Sequence, residues 1–217
     1  MLYNALMDEL AKEYVVSFFE RTLMLHGDRP EAVRWTAPGQ REHYRAALDI
    51  GDLRGRSLLD YGCGTGGFYG FLRSEGINVS YRGCDINPHL IEHAKKKYPG
   101  AGFAVFDIEE ELLDEEFDYI LLCGVFNLKV QGIDDTIRNV LRKLFARCRI
   151  GLGFNALSDH IPRKDYELNY SNPESMLCFA LDELSPHAAI RHDRIPFDYW
   201  LFVYRTARSF EEGIASS

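Results

Sequence analysis

Residues 57–67 read Ser57-Leu58-Leu59-Asp60-Tyr61-Gly62-Cys63-Gly64-Thr65-Gly66-Gly67. A short apolar run leads into Asp60, and Gly62, Gly64, Gly66 and Gly67 follow. Beyond them Phe68, Phe71 and Leu72 recur at helical spacing. Strand, glycine-rich turn and helix open a βα unit that binds a nucleotide-like ligand. Glycine suits the turn because, without a Cβ, it takes positive φ and lets a ligand lie on the backbone.

The βα rhythm continues downstream. Residues 79–84 predict a second strand ending at Asp85, and 102–106 a third ending at Asp107. Between them Asn87 and Pro88 open a helix with Leu90, Ile91, Ala94 and Tyr98 on its apolar face. Residues 109–116 are acidic except for Leu112 and Leu113, which reads as an exposed turn or short helix. Residues 117–123 form a nearly unbroken apolar run, as a buried parallel strand requires. A helix over 133–147, a strand at 149–154 and a helix at 173–184 follow. The runs 188–194 and 197–205 are joined by too short a link for a crossover helix, so they pair antiparallel. The expected fold is α/β: a doubly wound, mostly parallel seven-stranded sheet with an antiparallel last strand.

In such a sheet the carboxyl ends of the central strands line the ligand crevice. An acid after strand two accepts hydrogen bonds from both ribose hydroxyls. An acid after strand three accepts from an exocyclic amine. Asp60, Asp85 and Asp107 together therefore point to an adenosine-containing ligand.

The stretch Asp60-Tyr61-Gly62-Cys63-Gly64-Thr65-Gly66 resembles the first motif of class I S-adenosylmethionine-dependent methyltransferases, acidic-x-Gly-x-Gly-x-Gly. The resemblance covers about residues 55–205 and implies S-adenosylmethionine as cofactor. It implies that Asp60, Gly62, Gly64 and Gly66 hold the methionine end. It gives Asp85 the ribose, with Ile86 packed on adenine, and Asp107 the adenine amine, with Ile108 beside it. Cys123, Gly124 and Phe126 would border the sulfonium and the acceptor. Phe68 and Phe126 fit core packing as well as ligand contact. The Asp/Asn-Pro-Pro-Tyr/Phe signature of enzymes that methylate nucleobase or glutamine amines is absent, since 123–128 reads Cys-Gly-Val-Phe-Asn-Leu.

Three alternatives share the pattern. Gly62-x-Gly64-x-x-Gly67 also fits a nicotinamide-dependent oxidoreductase, with Asp85 at a suitable distance. Against it stand Asp60, Asp107 and the antiparallel finish. A cofactor-binding module without catalysis would look the same in sequence. An aminopropyltransferase lacks its expected pair of acids after strand four.

The first 50 residues precede this unit and predict a helical cap. Leu6, Leu10, Tyr14 and Phe18 form an apolar stripe, widened by Val15 and Phe19. Trp35 and Gln40 are the cap residues best able to touch a ligand. The expected organisation is therefore a cap at 1–50, the cofactor-binding domain at 51–207 and a tail at 208–217. Of the 217 residues, 25 are basic and 33 acidic, giving a net charge of −8. That balance argues against an extended nucleic-acid surface. No run approaches the roughly 18–20 apolar residues of a membrane span. The N-terminus lacks the features of a signal peptide, so a cytoplasmic protein is expected. No Cys-x-x-Cys pair suggests a metal site, and none is expected. The segment after the fifth strand, with Asn155, Asp159, His160, Arg163, Lys164, Tyr166 and Tyr170, could form a substrate flap. Its His160 could act as a base, but no catalytic residue is singled out. A small-molecule acceptor is expected.

Overall fold

The computed structural model describes residues 6–208, so the expected tail lies, beyond Arg208, outside the described residues. Seven strands form one mixed sheet: β1 (Ser57–Tyr61), β2 (Ser80–Asp85), β3 (Gly102–Val105), β4 (Phe117–Leu122), β5 (Cys148–Leu157), β6 (Ala188–Ile195) and β7 (Asp198–Tyr204). Their order is β3-β2-β1-β4-β5-β7-β6. All neighbours up to β5 are parallel, and β7 runs antiparallel to both β5 and β6. β5 is longer than the predicted 149–154 because β7 pairs along it as far as Leu157↔Asp198.

Six helices accompany the sheet: α1 (Glu9–His26), α2 (Ala37–Ala47), α3 (Gly67–Ser74), α4 (Pro88–Lys97), α5 (Ile133–Phe145) and α6 (Pro173–Glu183). Their starts follow local chemistry. Asp8, Thr36, Asn87 and Asn172 each cap a helix by accepting a backbone N–H in its first turn. Pro38, Pro88 and Pro173 occupy first-turn positions where no N–H is needed.

The central strands are apolar on both faces. Leu59, Ile120, Leu121, Leu122, Leu152 and Phe154 are fully buried. Each such side chain contributes about 1.5–3 kcal/mol of transfer free energy. α5 brings Ile137, Val140, Leu141 and Leu144 to one layer of the core, and α3 brings Phe68, Phe71 and Leu72 to another cluster.

The first helix packs differently from its predicted stripe. Phe18 is buried, but Leu10 and Tyr14 are exposed. Lys12, Val15, Val16 and Phe19 face a cavity instead. The helix lies across the mouth of a crevice rather than on a core, so the inward face is set by what lies beneath it.

Gly66 sets the exit of the glycine turn. Its φ is +78°, and a Cβ there would come within 2.8 Å of the Phe103 ring and 3.2 Å of Tyr98. Gly66→Ala should therefore lower stability by about 1–3 kcal/mol, through left-handed strain and the displaced ring. Urea denaturation measures this; an unchanged midpoint would show that the turn relaxes freely.

Candidate functional site

The carboxyl ends of β1, β2 and β4, with the residues after β3, open into one cavity beneath α1 and the turn that follows it. The crevice lies where the strand order reverses, β2 on one side of β1 and β4 on the other.

The glycine turn is held from below. The N–H groups of Gly62 and Cys63 both donate to the Cys84 carbonyl, at 2.6 and 2.9 Å. The Gly64 N–H donates to Asp85 Oδ2 at 2.9 Å, and the Asn87 N–H to Asp85 Oδ1 at 2.9 Å. These two amides fix the carboxylate at the lip of the cavity. Burial raises the Asp85 pKa, while these amides pull it the other way. Gly64 has φ +55°, and a Cβ there would meet nothing within 4 Å. The backbone at Gly64 is thus open to whatever lies in the crevice.

Asp60 sits one layer deeper. It is 2% exposed, and the Tyr81 hydroxyl donates to its Oδ2 at 2.6 Å. Burial lifts its pKa from 3.8 to about 7, against the pull of that hydrogen bond.

Helix α1 crosses the strand ends in order. Lys12 pairs with Asp107, after β3, at 2.8 Å. The Val16 carbonyl accepts from Asn87 Nδ2, after β2, at 3.1 Å. Asp28, beyond the helix, accepts from the Thr65 hydroxyl, after β1, at 2.8 Å and pairs with Lys97 at 2.5 Å. The Met7 N–H reaches Thr136 Oγ1 on α5 at 2.8 Å. Burial opposes the charge on Lys12, but the hydrogen bonds it donates to Asp107 and Glu110 more than offset it, so its pKa lies above the ordinary lysine value.

Of the residues singled out in the sequence, the cavity gathers Trp35, Gln40, Gly62, Gly64, Asp85 and Ile86. It also gathers Asp107, Cys123, Gly124 and Phe126. Asp60, Gly66, Phe68 and Ile108 stand behind the wall. Phe68 packs on Tyr44 with ring centres 5.2 Å apart, and Ile108 is 3% exposed in the core. His160 is turned away; its Nε2 pairs with Glu174 at 2.9 Å on the surface. Asn155 is fully buried and Tyr166 is exposed. Burial pushes up the thiols of Cys63 and Cys123, so neither is a ready thiolate. Lys12, Asp28, Arg29 and Lys97 line the cavity without having been singled out. Only the fold brings them there, since no local motif marks them. Among the described residues, no cluster of metal-ligating side chains occurs.

A family profile described as a methyltransferase domain matches residues 59–151, the glycine turn and the strands that follow it. A relative named as a methyltransferase in Mycobacterium tuberculosis (strain ATCC 25618 / H37Rv) is 28% identical over 158 residues. That alignment covers 70% of this chain and 94% of the relative. The chain thus carries a methyltransferase domain over residues 59–151. A malonyl-[acyl-carrier protein] O-methyltransferase of Acetivibrio thermocellus is 32% identical over 92 residues, 40% of this chain and 32% of that enzyme. In fold, this methyltransferase is similar to magnesium protoporphyrin IX methyltransferase from Synechocystis PCC 6803 with bound SAH. The TM-score is 0.65 at 15% identity, covering 90% of this chain and 100% of the other.

S-adenosylmethionine is the cofactor of this methyltransferase, and the crevice fits it. The open backbone at Gly64 leaves room against the turn, and the carboxylates of Asp85 and Asp107 offer acceptors to hydroxyls and an amine. Among the described residues, no helix is long and apolar enough to cross a membrane.

The Asp60 carboxyl gives a pH test. Below 3.8 it is protonated in the folded and unfolded chain alike. Between 3.8 and about 7 the folded protein keeps a proton that the unfolded chain has lost, so stability falls as pH rises and levels off above about 7. Asp60→Asn removes this titration. Urea denaturation across that range should show the variant gaining on the wild type until about pH 7 and then running parallel. A constant difference at every pH would refute the protonated buried carboxyl.

Proposed function

We propose that this methyltransferase acts on a small-molecule acceptor, by in-line transfer of the methyl group to an oxygen, nitrogen or carbon nucleophile. The observation that carries this is the cover. α1 and its turn are pinned over the crevice at Asp107, Asn87, Thr65 and Thr136, so the acceptor must fit beneath them. The excess of acidic residues supports the same reading against a nucleic-acid acceptor.

When bound, S-adenosylmethionine supplies a methyl already activated by its sulfonium. The protein's share is binding, alignment and exclusion of water. Asp85 would accept from the ribose hydroxyls and Ile86 would pack on adenine. Asp107 would accept from the adenine amine, with Ile108 completing the wall from within the core. The turn Gly62–Thr65, backed by Asp60 and Gly66, would hold the methionine end. Arg29 lines the cavity, and the only side-chain hydrogen bond it makes among the described residues goes to the His26 carbonyl. It could meet a carboxylate. Trp35, Gln40, Cys123, Gly124 and Phe126 would border the acceptor, with Val125 and Leu128 extending an apolar wall. Among the described residues no histidine lines the cavity, so alignment rather than proton abstraction is the role assigned to this wall.

The test is calorimetry with S-adenosylhomocysteine, then a mass-spectrometric methyl-transfer screen over small molecules, proteins and nucleic acids. Gly64→Val would fill the open backbone and should weaken S-adenosylhomocysteine at least about tenfold while the protein stays folded, a change of about 1.4 kcal/mol. Turnover confined to a macromolecular acceptor would overturn the small-molecule reading. Binding without any turnover would favour a cofactor-binding module.

A further inference from the structure

Behind the wall of the cavity lies a charged network that the methyl-transfer reading does not use. His43 on α2 is 7% exposed. Its Nδ1 lies 2.7 Å from the Gly39 carbonyl, and its Nε2 lies 2.9 Å from Asp198 Oδ2, at the start of β7. A carbonyl and a carboxylate only accept, so both ring nitrogens must carry protons and the ring is an imidazolium. Asp198 is 4% exposed, and its other oxygen accepts from Asn155 Nδ2 on β5. The same Nδ2 donates to the Tyr199 carbonyl at 3.1 Å, which fixes the orientation of the amide. Burial works against the charge on His43, and the bond and attraction to Asp198 more than offset it, so its pKa lies above the ordinary 6.5.

The network has one aromatic neighbour at the cavity. Trp35 lies flat on His43, with ring centres 4.5 Å apart and planes 14° from parallel. Tyr44 meets the indole edge-on at 6.0 Å. The far edge of the indole abuts Gly124, where a Cβ would stand 2.6 Å from Trp35 Cζ2. Trp35 thus closes the cavity at the carboxyl end of β4, where Cys123 and Gly124 also line it.

A buried ion pair is a weak source of stability, because desolvation of both charges offsets their attraction. A cation stacked on an indole face, however, fixes the plane of the ring. We propose that His43, held as an imidazolium by Asp198 and Gly39, is a positioning residue that fixes Trp35 as the wall facing the transferring methyl group and its acceptor. This rests on the cavity being the methyl-transfer site. His43 has no free lone pair in this arrangement and is not the base. The other charged groups nearby are already paired: Glu42 with Arg45 on α2, and Arg191 and Arg194 of β6 with Asp49. Cys123 stays a neutral thiol, which leaves Asp198 as the group that controls the His43 charge.

The experiment reads Trp35 fluorescence. The chain has two tryptophans, so full-length Trp200→Phe, excited at the red edge where tyrosine does not absorb, leaves Trp35 as the sole emitting indole. A stacked imidazolium quenches excited indole by accepting an electron from it, and a neutral imidazole does so far less. Emission should be weak at neutral pH and rise severalfold along one sigmoid above the ordinary histidine range. His43→Gln in the same background should be bright and flat, and Asp198→Asn should move the sigmoid to lower pH. S-adenosylmethionine should change the emission, whereas adenosine, which lacks the methionine end, should not. Absence of the sigmoid, or its survival in His43→Gln, overturns the proposal. So does S-adenosylhomocysteine or S-adenosylmethionine binding by calorimetry with no change in emission. If neither molecule binds at all, the methyl-transfer reading itself fails, which the pH sigmoid alone would not reveal. Should the variants not fold, histidine nitrogen NMR of the unaltered protein decides. One of its seven imidazoles should keep both ring protons as the pH rises past the ordinary histidine range, and the absence of any such ring would overturn the proposal.

Discussion

Strand β1 is hydrogen-bonded on both sides to parallel neighbours, with Asp60 opposite Gly83 of β2 and Leu121 of β4. Everything at the site depends on that double pairing. Parallel strands end together, so the turn after β1, Asp85 after β2 and Cys123–Gly124 after β4 emerge along one edge. Because the chain moves outward from β1 in both directions, the helices after β1 and β4 diverge there and leave the crevice open. The Gly62 and Cys63 amides, bonded to the Cys84 carbonyl, tie the turn to β2 at the same point.

The cover answers that geometry. An open crevice lined by Asp85 and Asp107 would expose carboxylates to water and hold a ligand poorly. α1 brings Lys12 to Asp107, the Val16 carbonyl to Asn87 and Asp28 to Thr65. Each contact joins the cover to the end of a different strand, so the cover has one register over the crevice. Its exposed Leu10 and Tyr14 follow from this placement, because the residues that face inward are those over the cavity.

Polar groups behind the cavity extend the arrangement into the sheet. Asp60 leans on Tyr81, and His43 links α2 to β7 through Asp198. Neither carboxylate touches solvent appreciably. Both sit where an apolar pair would pack with less desolvation, so their position beside the cavity, rather than their contribution to stability, accounts for them.

Much of this was legible before the fold. The apolar runs, the helix start at Asn87 and Pro88 and the glycine turn are local signals, each decided by a few neighbouring residues. They determined the α/β alternation, the antiparallel finish and the acids at three strand ends. What local signals could not decide was depth and partnership. Asp60, Phe68 and Ile108 read like their cavity-lining neighbours, but the pleat and helix packing turn them inward. Lys12, Asp28 and the pairing of His43 with Asp198 join residues up to 155 positions apart, and no motif spans such a separation. The sequence by itself determined which elements form and which strand ends carry acids, because hydrogen bonding and hydrophobic periodicity act over a few residues. Only the tertiary structure decided which side chains close the cavity and which stand behind it, because that follows from where whole helices come to rest.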